Sequence, residues 1–175
     1  MKNLFRLSCL SLFLLFTSCI VNDDFDDLST PLEGTWKLTT FNVGIALDLN
    51  GDGSSSSDII AETNCYQNET MTFASDFTGV IASSSFADIE VTFVTGSTDQ
   101  VEYVVDCLPD VFNQNFIWSR NGNSITLDID NITVVASISS NKFSFVIPQG
   151  FTIESPENGV LITLTQDVTL TYTKQ

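Results

Sequence analysis

The chain has 175 residues, enough for one domain with a sizeable core, and 43% of them are hydrophobic, which excludes disorder as the main state. Six Lys and Arg stand against 22 Asp and Glu with no His, a formal net charge of −16. So large a negative surplus argues against nucleic acid as a partner, and the missing imidazole removes the commonest general base and the usual zinc sites.

In chain order, Lys2 and Arg6 precede an apolar run over residues 7–16, the layout of an export signal too short to span a bilayer. Residues 1–18 are therefore set apart from the fold as a signal peptide, and their removal leaves four basic residues and a formal charge of −18. The stretch "LLFTSC" resembles the lipobox of bacterial lipoproteins, with Phe16 where that family usually has Leu. The resemblance implies that Cys19 becomes the lipidated first residue and holds the protein to a membrane through its acyl chains. Ordinary signal cleavage is the competing reading. Residues 19–31 then read as an extended tether carrying Asp23, Asp24, Asp26 and Asp27. This acidic run is similar to the export signals of Gram-negative lipoproteins displayed on the outer face of the outer membrane. A plain solvated linker competes.

Residues 32–175 are expected to form the folded domain. From Thr35 onward apolar residues alternate at period two, beginning with Trp36/Leu38. The first long connection, within 44–67, contains "DLNGDGSSSSDIIAETNC". Asp48, Asn50, Asp52 and Gly53 match the opening of a calcium-binding loop of the EF-hand type, in which oxygens at positions 1, 3 and 5 precede a glycine at 6. Position 12, where a bidentate Glu belongs, is Ile59. That motif is thus incomplete, although the Ser54 carbonyl, Asp58 and Glu62 could complete a weak site if residues 57–62 make a helical turn. A weak Ca2+ site and a solvated acidic loop remain as two readings.

Beyond this loop the alternations Met71/Phe73, Ile89/Val91/Phe93, Val101/Tyr103/Val105, Phe116/Trp118, Ile125/Leu127/Ile129, Ile132/Val134/Ala136/Ile138, Phe143/Phe145/Ile147 and Val168/Leu170/Tyr172 predict short strands. The turn-forming stretches "SDFTG", "GSTD", "RNGN" and "SSNK" join consecutive strands as hairpins. Such a meander predicts an all-β, up-and-down antiparallel barrel of eight to ten strands, closed to remove its edges. Alternating strand direction places the tight turns at one end, a floor, and the long connections 44–67, 106–113 and 149–159 at the other, a mouth. Cys65 and Cys107 both fall at the mouth end and, in an oxidising compartment, are expected to form a disulfide.

"LEGTWKL" carries a Gly-x-Trp at Gly34 and Trp36, and with "FIWSRNGNSITL" and the closing "LTYTKQ" it resembles the short lipocalin-like domain of bacterial lipoproteins. The resemblance covers most of the mature chain. It implies a barrel that takes up a small apolar or amphipathic ligand, with Lys174 as the basic residue that lipocalins place near this Trp. The pocket would be lined by Trp36, Phe73, Phe93, Tyr103, Phe116 and Trp118, side chains that could equally fill the core. Catalysis has little support: no Gly-x-Ser-x-Gly occurs, and Ser139-x-x-Lys142 falls in an expected hairpin turn. The expected protein is a monomeric, non-enzymatic binding lipoprotein of the outer membrane. A structural or protein-interaction barrel without a cavity is the alternative class.

Overall fold

Alternating β-branched and aromatic residues suit a pleated, half-buried surface, and in the computed structural model, which describes residues 30–175, they form nine strands. These are β1 (Gly34–Leu47), β2 (Ser56–Asp58), β3 (Thr70–Phe73), β4 (Thr78–Phe93), β5 (Val101–Asn121), β6 (Ser124–Ile129), β7 (Ile132–Ser139), β8 (Lys142–Glu157) and β9 (Val160–Lys174), with a one-turn helix α1 (Ile59–Glu62) after β2. The signal peptide, Cys19 and the acidic run Asp23, Asp24, Asp26 and Asp27 lie outside the described residues. Each strand from β3 to β9 pairs antiparallel with the next, β3 also pairs with β1, and β9 returns to β1, Trp36 opposite Lys174 and Leu38 opposite Tyr172. Eight strands thus close an up-and-down barrel, and β2 adds beside the upper part of β1.

The lower half of the barrel is filled. Trp36, Phe73, Ile125, Leu127 and Phe143 are buried inside it with Phe116, Trp118, Phe145 and Tyr172. The rings meet edge-on, Phe73 lying 5.2 Å from Phe116, 5.7 Å from Trp118 and 5.5 Å from Phe143, whereas Phe143 and Tyr172 stack at 5.0 Å. Such pairs contribute about 0.5–1.5 kcal/mol each beyond the area that they bury. Gly79 is required here by close approach, since a Cβ on it would lie 2.2 Å from the Phe116 ring.

Three side chains close the floor by taking three successive carbonyls of the incoming segment. Arg120 Nη1 donates to Thr30 O at 2.7 Å, Lys174 Nζ donates to Pro31 O, and Trp36 Nε1 donates to Leu32 O at 2.7 Å. Leu32, held in this way, is itself buried against the core as a plug. Lys174 also lies over the Trp36 ring, 5.4 Å from its centroid.

Unequal strand lengths shape the upper half. β3 pairs with β4 only over Gly79–Ala82, β6 with β5 only over Ile117–Asn121, and β7 with β8 only over Lys142–Phe145. Above those levels β4 with β5, and β8 with β9, continue as two long ribbons. Their tips meet, a Cβ on Gly159 falling 3.7 Å from Thr98.

Three expectations about the connections change in consequence. "GSTD" joins β4 to β5 at the mouth end rather than at the floor, because 106–113 is not a loop: β5 runs through it without a break. Pro109 is accommodated at a bulge, where Ser83 opposes Phe112 and Ser85 opposes Pro109, so one extra residue fits on β5. Residues 149–159 are likewise mostly strand, ending in a tight turn at Asn158 and Gly159. Residues 160–174 form one strand, and the helical turn after Asp58 is present as α1.

Candidate functional site

A second apolar cluster lies between the two ribbons, above the filled barrel. Val43, Leu47, Leu49, Ile59, Val91, Ile153 and Val168 are its buried members. Where it meets the lower core, packing is incomplete: a cavity of about 310 Å³ remains, lined by Phe41, Ile59, Tyr66, Ala87, Ile89 and Phe151 among others. Phe41 and Tyr66 touch both clusters and pack on each other, ring centroids 5.0 Å apart at 57°. This chamber is built from four parts of the chain: β1, the segment of α1 and Tyr66, the β4 ribbon and the β8 ribbon.

The wall beside the chamber is open. No strand separates the upper part of β5 from that of β8, since β6 and β7 stop short of both. Phe112 and Ile147 have the same strand parity as the buried Phe116 and Phe145 and so point inward, yet they are 43% and 38% exposed. Inward-facing apolar residues in contact with solvent mark an aperture. Two larger hollows, of about 440 and 510 Å³, are lined chiefly by outward-facing residues of the sheet such as Val80 and Ile117, or Val135 and Val146, and do not enter the barrel.

Asp88 and Thr152 put polar groups on the chamber's rim, and the Tyr66 hydroxyl puts one further in. The Tyr66 hydroxyl accepts a hydrogen bond from the Ala87 N–H at 3.2 Å, which leaves its own proton to donate. Burial pushes the Tyr66 hydroxyl above the usual tyrosine pKa against the lowering by Ala87, and Glu69 adds to the rise. Glu69 is itself buried, accepting from the Ser84 N–H at 3.0 Å, and Glu62 on α1 is buried and accepts from the Leu49 N–H at 3.1 Å.

The six residues expected to line a pocket are divided. Trp36, Phe73, Phe116 and Trp118 are buried in the lower core, packed ring against ring, and line no common cavity with the other two. Phe93 and Tyr103 sit half-buried on the β4–β5 ribbon, Tyr103 bordering a hollow of about 300 Å³ beside Asp48 and Asn50. The aromatic residues that do line the chamber are not marked by period two, since Phe41 and Phe151 lie beyond the clear alternations and Tyr66 sits in a non-strand connection. Tyr66 is adjacent to Cys65, and that is the one sequence signal pointing to it.

The residues of the half calcium motif are employed otherwise. Asp48 Oδ1 and Oδ2 accept from the N–H groups of Asp52 and Gly53 at 3.1 and 2.9 Å, Asn50 Oδ1 from Asp52 N–H at 2.9 Å, and Asp52 Oδ1 from Ser54 N–H at 2.8 Å. Asp58 caps α1 through Ile60 N–H at 3.1 Å and also accepts from Phe41 N–H at 2.9 Å. Among the described residues no group of three or more acidic or cysteine side chains converges as metal ligands would. Asp58 is turned to α1 and β1, whereas Glu62 does reach the loop, where its carboxylate accepts from the Leu49 N–H beside Asp48.

The expected disulfide is present: Cys65 and Cys107 are bonded, with Cα atoms 4.9 Å apart. It ties the chamber segment next to Tyr66 to the middle of β5. Ser139 faces Lys142 as a strand partner across a two-residue turn, in a hairpin and not at a helix start. Compared with protein-family models, curated proteins and solved structures, the chain matches none.

Proposed function

We propose that the chain is a lipoprotein of a Gram-negative outer membrane, anchored through Cys19, and that it binds a small apolar or amphipathic molecule in the chamber above its filled barrel rather than catalysing a reaction. The observation that carries this reading is the cavity at the meeting of the two cores, beside an open wall whose inward-facing Phe112 and Ile147 are exposed. Its volume lies near the lower end of the range for small-molecule pockets, and its lining sets the rings of Phe41, Tyr66 and Phe151 beside the polar Asp88 and Thr152, a mixed character suited to an amphipathic ligand. The tether, on this reading, leaves from the floor beside Thr30, so the ribbons and the chamber face away from the membrane.

The neutral dye N-phenyl-1-naphthylamine tests it. Saturable one-to-one fluorescence enhancement is expected for the full chain, and Ala87→Phe, which fills the chamber, should abolish it while leaving the melting temperature within a few degrees. The alternative class, an interaction module without a cavity, is favoured by the filled lower barrel and by the exposed Phe86 and Leu108 opposite one another on β4 and β5. A titration with no saturable signal would select that alternative.

A further inference from the structure

The charges around the chamber are all of one sign. The chain has no Lys or Arg between Lys37 and Arg120 or between Lys142 and Lys174, and those four lie at the floor, as their positions at the floor-side ends of β1, β5, β8 and β9 require. Two acids belong to the chamber's surroundings instead: Glu69 acts on Tyr66 and accepts from the Ser84 N–H, and Glu62 is buried three residues from the lining Ile59; a third, Asp88, borders the cavity from the outward-facing side of β4. Three aromatic rings, of Phe41, Tyr66 and Phe151, make up much of the remaining lining.

From this arrangement we infer that the chamber's ligand is an organic cation, a hydrophobic amine whose ammonium rests against the aromatic faces while its hydrocarbon lies along Ile59 and Ile89. The inference rests on the proposed reading of the chamber as a binding site. A carboxylate or phosphate entering the same space would leave its hydration shell and find no basic side chain to replace it, a loss that apolar contacts do not recover. A primary or quaternary ammonium meets the opposite situation, because ring faces attract cations and do so more strongly once water is excluded. The surrounding acids add attraction over a longer range, which the low dielectric of a partly enclosed cavity preserves. The free Tyr66 hydroxyl proton can serve an oxygen elsewhere on the ligand.

Three probes with one tail separate charge from fit: decylammonium, decan-1-ol and decanoate, each competing with N-phenyl-1-naphthylamine for the full-length protein. Decylammonium is expected to displace the dye at a concentration about tenfold below that of decanol, with decanoate weakest. Phe41→Leu, which keeps an apolar lining but removes a ring, should weaken decylammonium about fivefold and leave decanol within about twofold. Decanoate displacing the dye as well as decylammonium would overturn the cationic assignment while leaving the chamber as a binding site. Equal losses for amine and alcohol in Phe41→Leu would overturn it too, by showing that the ring contributes shape alone. A dye that does not bind the wild-type protein at all is a different result, and it removes the chamber reading itself.

Discussion

Asp58 illustrates how one side chain can fit a sequence pattern and serve another purpose. Its spacing after Asp48 casts it as a closing ligand of a calcium loop, whereas in the structure it is the N-cap of α1. In the structure a single oxygen, Oδ1, accepts from Phe41 N–H and Ile60 N–H, so the residue joins α1 to β1 just where Phe41 enters the chamber. Asp58→Ala leaves both amides without that acceptor and is expected to destabilise the fold by about 1–2 kcal/mol. Asp58→Asn keeps the oxygen and should lose less than half as much. Urea unfolding in calcium and again in chelator checks both; a loss confined to calcium would mean that Asp58 acts as a ligand after all. At this scale the sequence was readable where chemistry is local. The helical turn at residues 57–62, the tight hairpin at Asn121 and Gly122 and the Cys65–Cys107 pair can each be assigned from the order of residues. Which aromatic side chains surround a gap cannot, because that depends on how two sheets of unequal height meet.

Strands show the same division at the next scale. Period two marks β5 as strand along most of its length, but nothing in "DCLPDVFN" states that the chain continues straight: Pro and two Asp are equally at home in a turn. The deciding factor is the neighbour. β6 covers only the last five residues of β5, so the edge beside Pro109 is unpaired, and a missing N–H there costs no ladder bond. One consequence is a ribbon that needs an independent restraint, which the Cys65–Cys107 bond supplies. The two cysteines are 42 residues apart, and the chain-entropy account assigns a loop of that size about 4 kcal/mol. Replacing both by Ser is expected to lower stability by up to that amount. It should also speed amide exchange in 48–66 and in the β4–β5 ribbon ahead of β6 and β7, which are held by the lower core. Exchange that rises evenly along the chain would show that the ribbon and barrel open as one unit.

The whole molecule is polarised. Among the described residues the cations sit where the chain comes in from residue 30, two of them occupied in holding that segment, while the ribbons carry acids alone. This distribution agrees with a floor turned towards a membrane and a chamber that prefers positive ligands, and it has a cost that does not depend on either proposal. On the outer face of the β4–β5 ribbon Asp88 stands directly opposite Asp106, Glu90 opposite Val104, and Thr92 opposite Glu102. Directly opposed like charges oppose pairing by about 0.2–1 kcal/mol, and the remaining acids of the ribbon add to the repulsion over distances that only dissolved salt shortens. Asp106→Asn is therefore expected to raise stability at low ionic strength by an amount in that range. In 1 M sodium chloride the gain should largely vanish, because the wild-type protein will itself have been stabilised by screening. Melting temperatures of the two proteins across a salt series measure this directly. Parallel curves at every concentration would mean that the Asp88–Asp106 pair is already relieved, by protonation or by a bound cation, and the electrostatic account of the ribbon would have to be replaced.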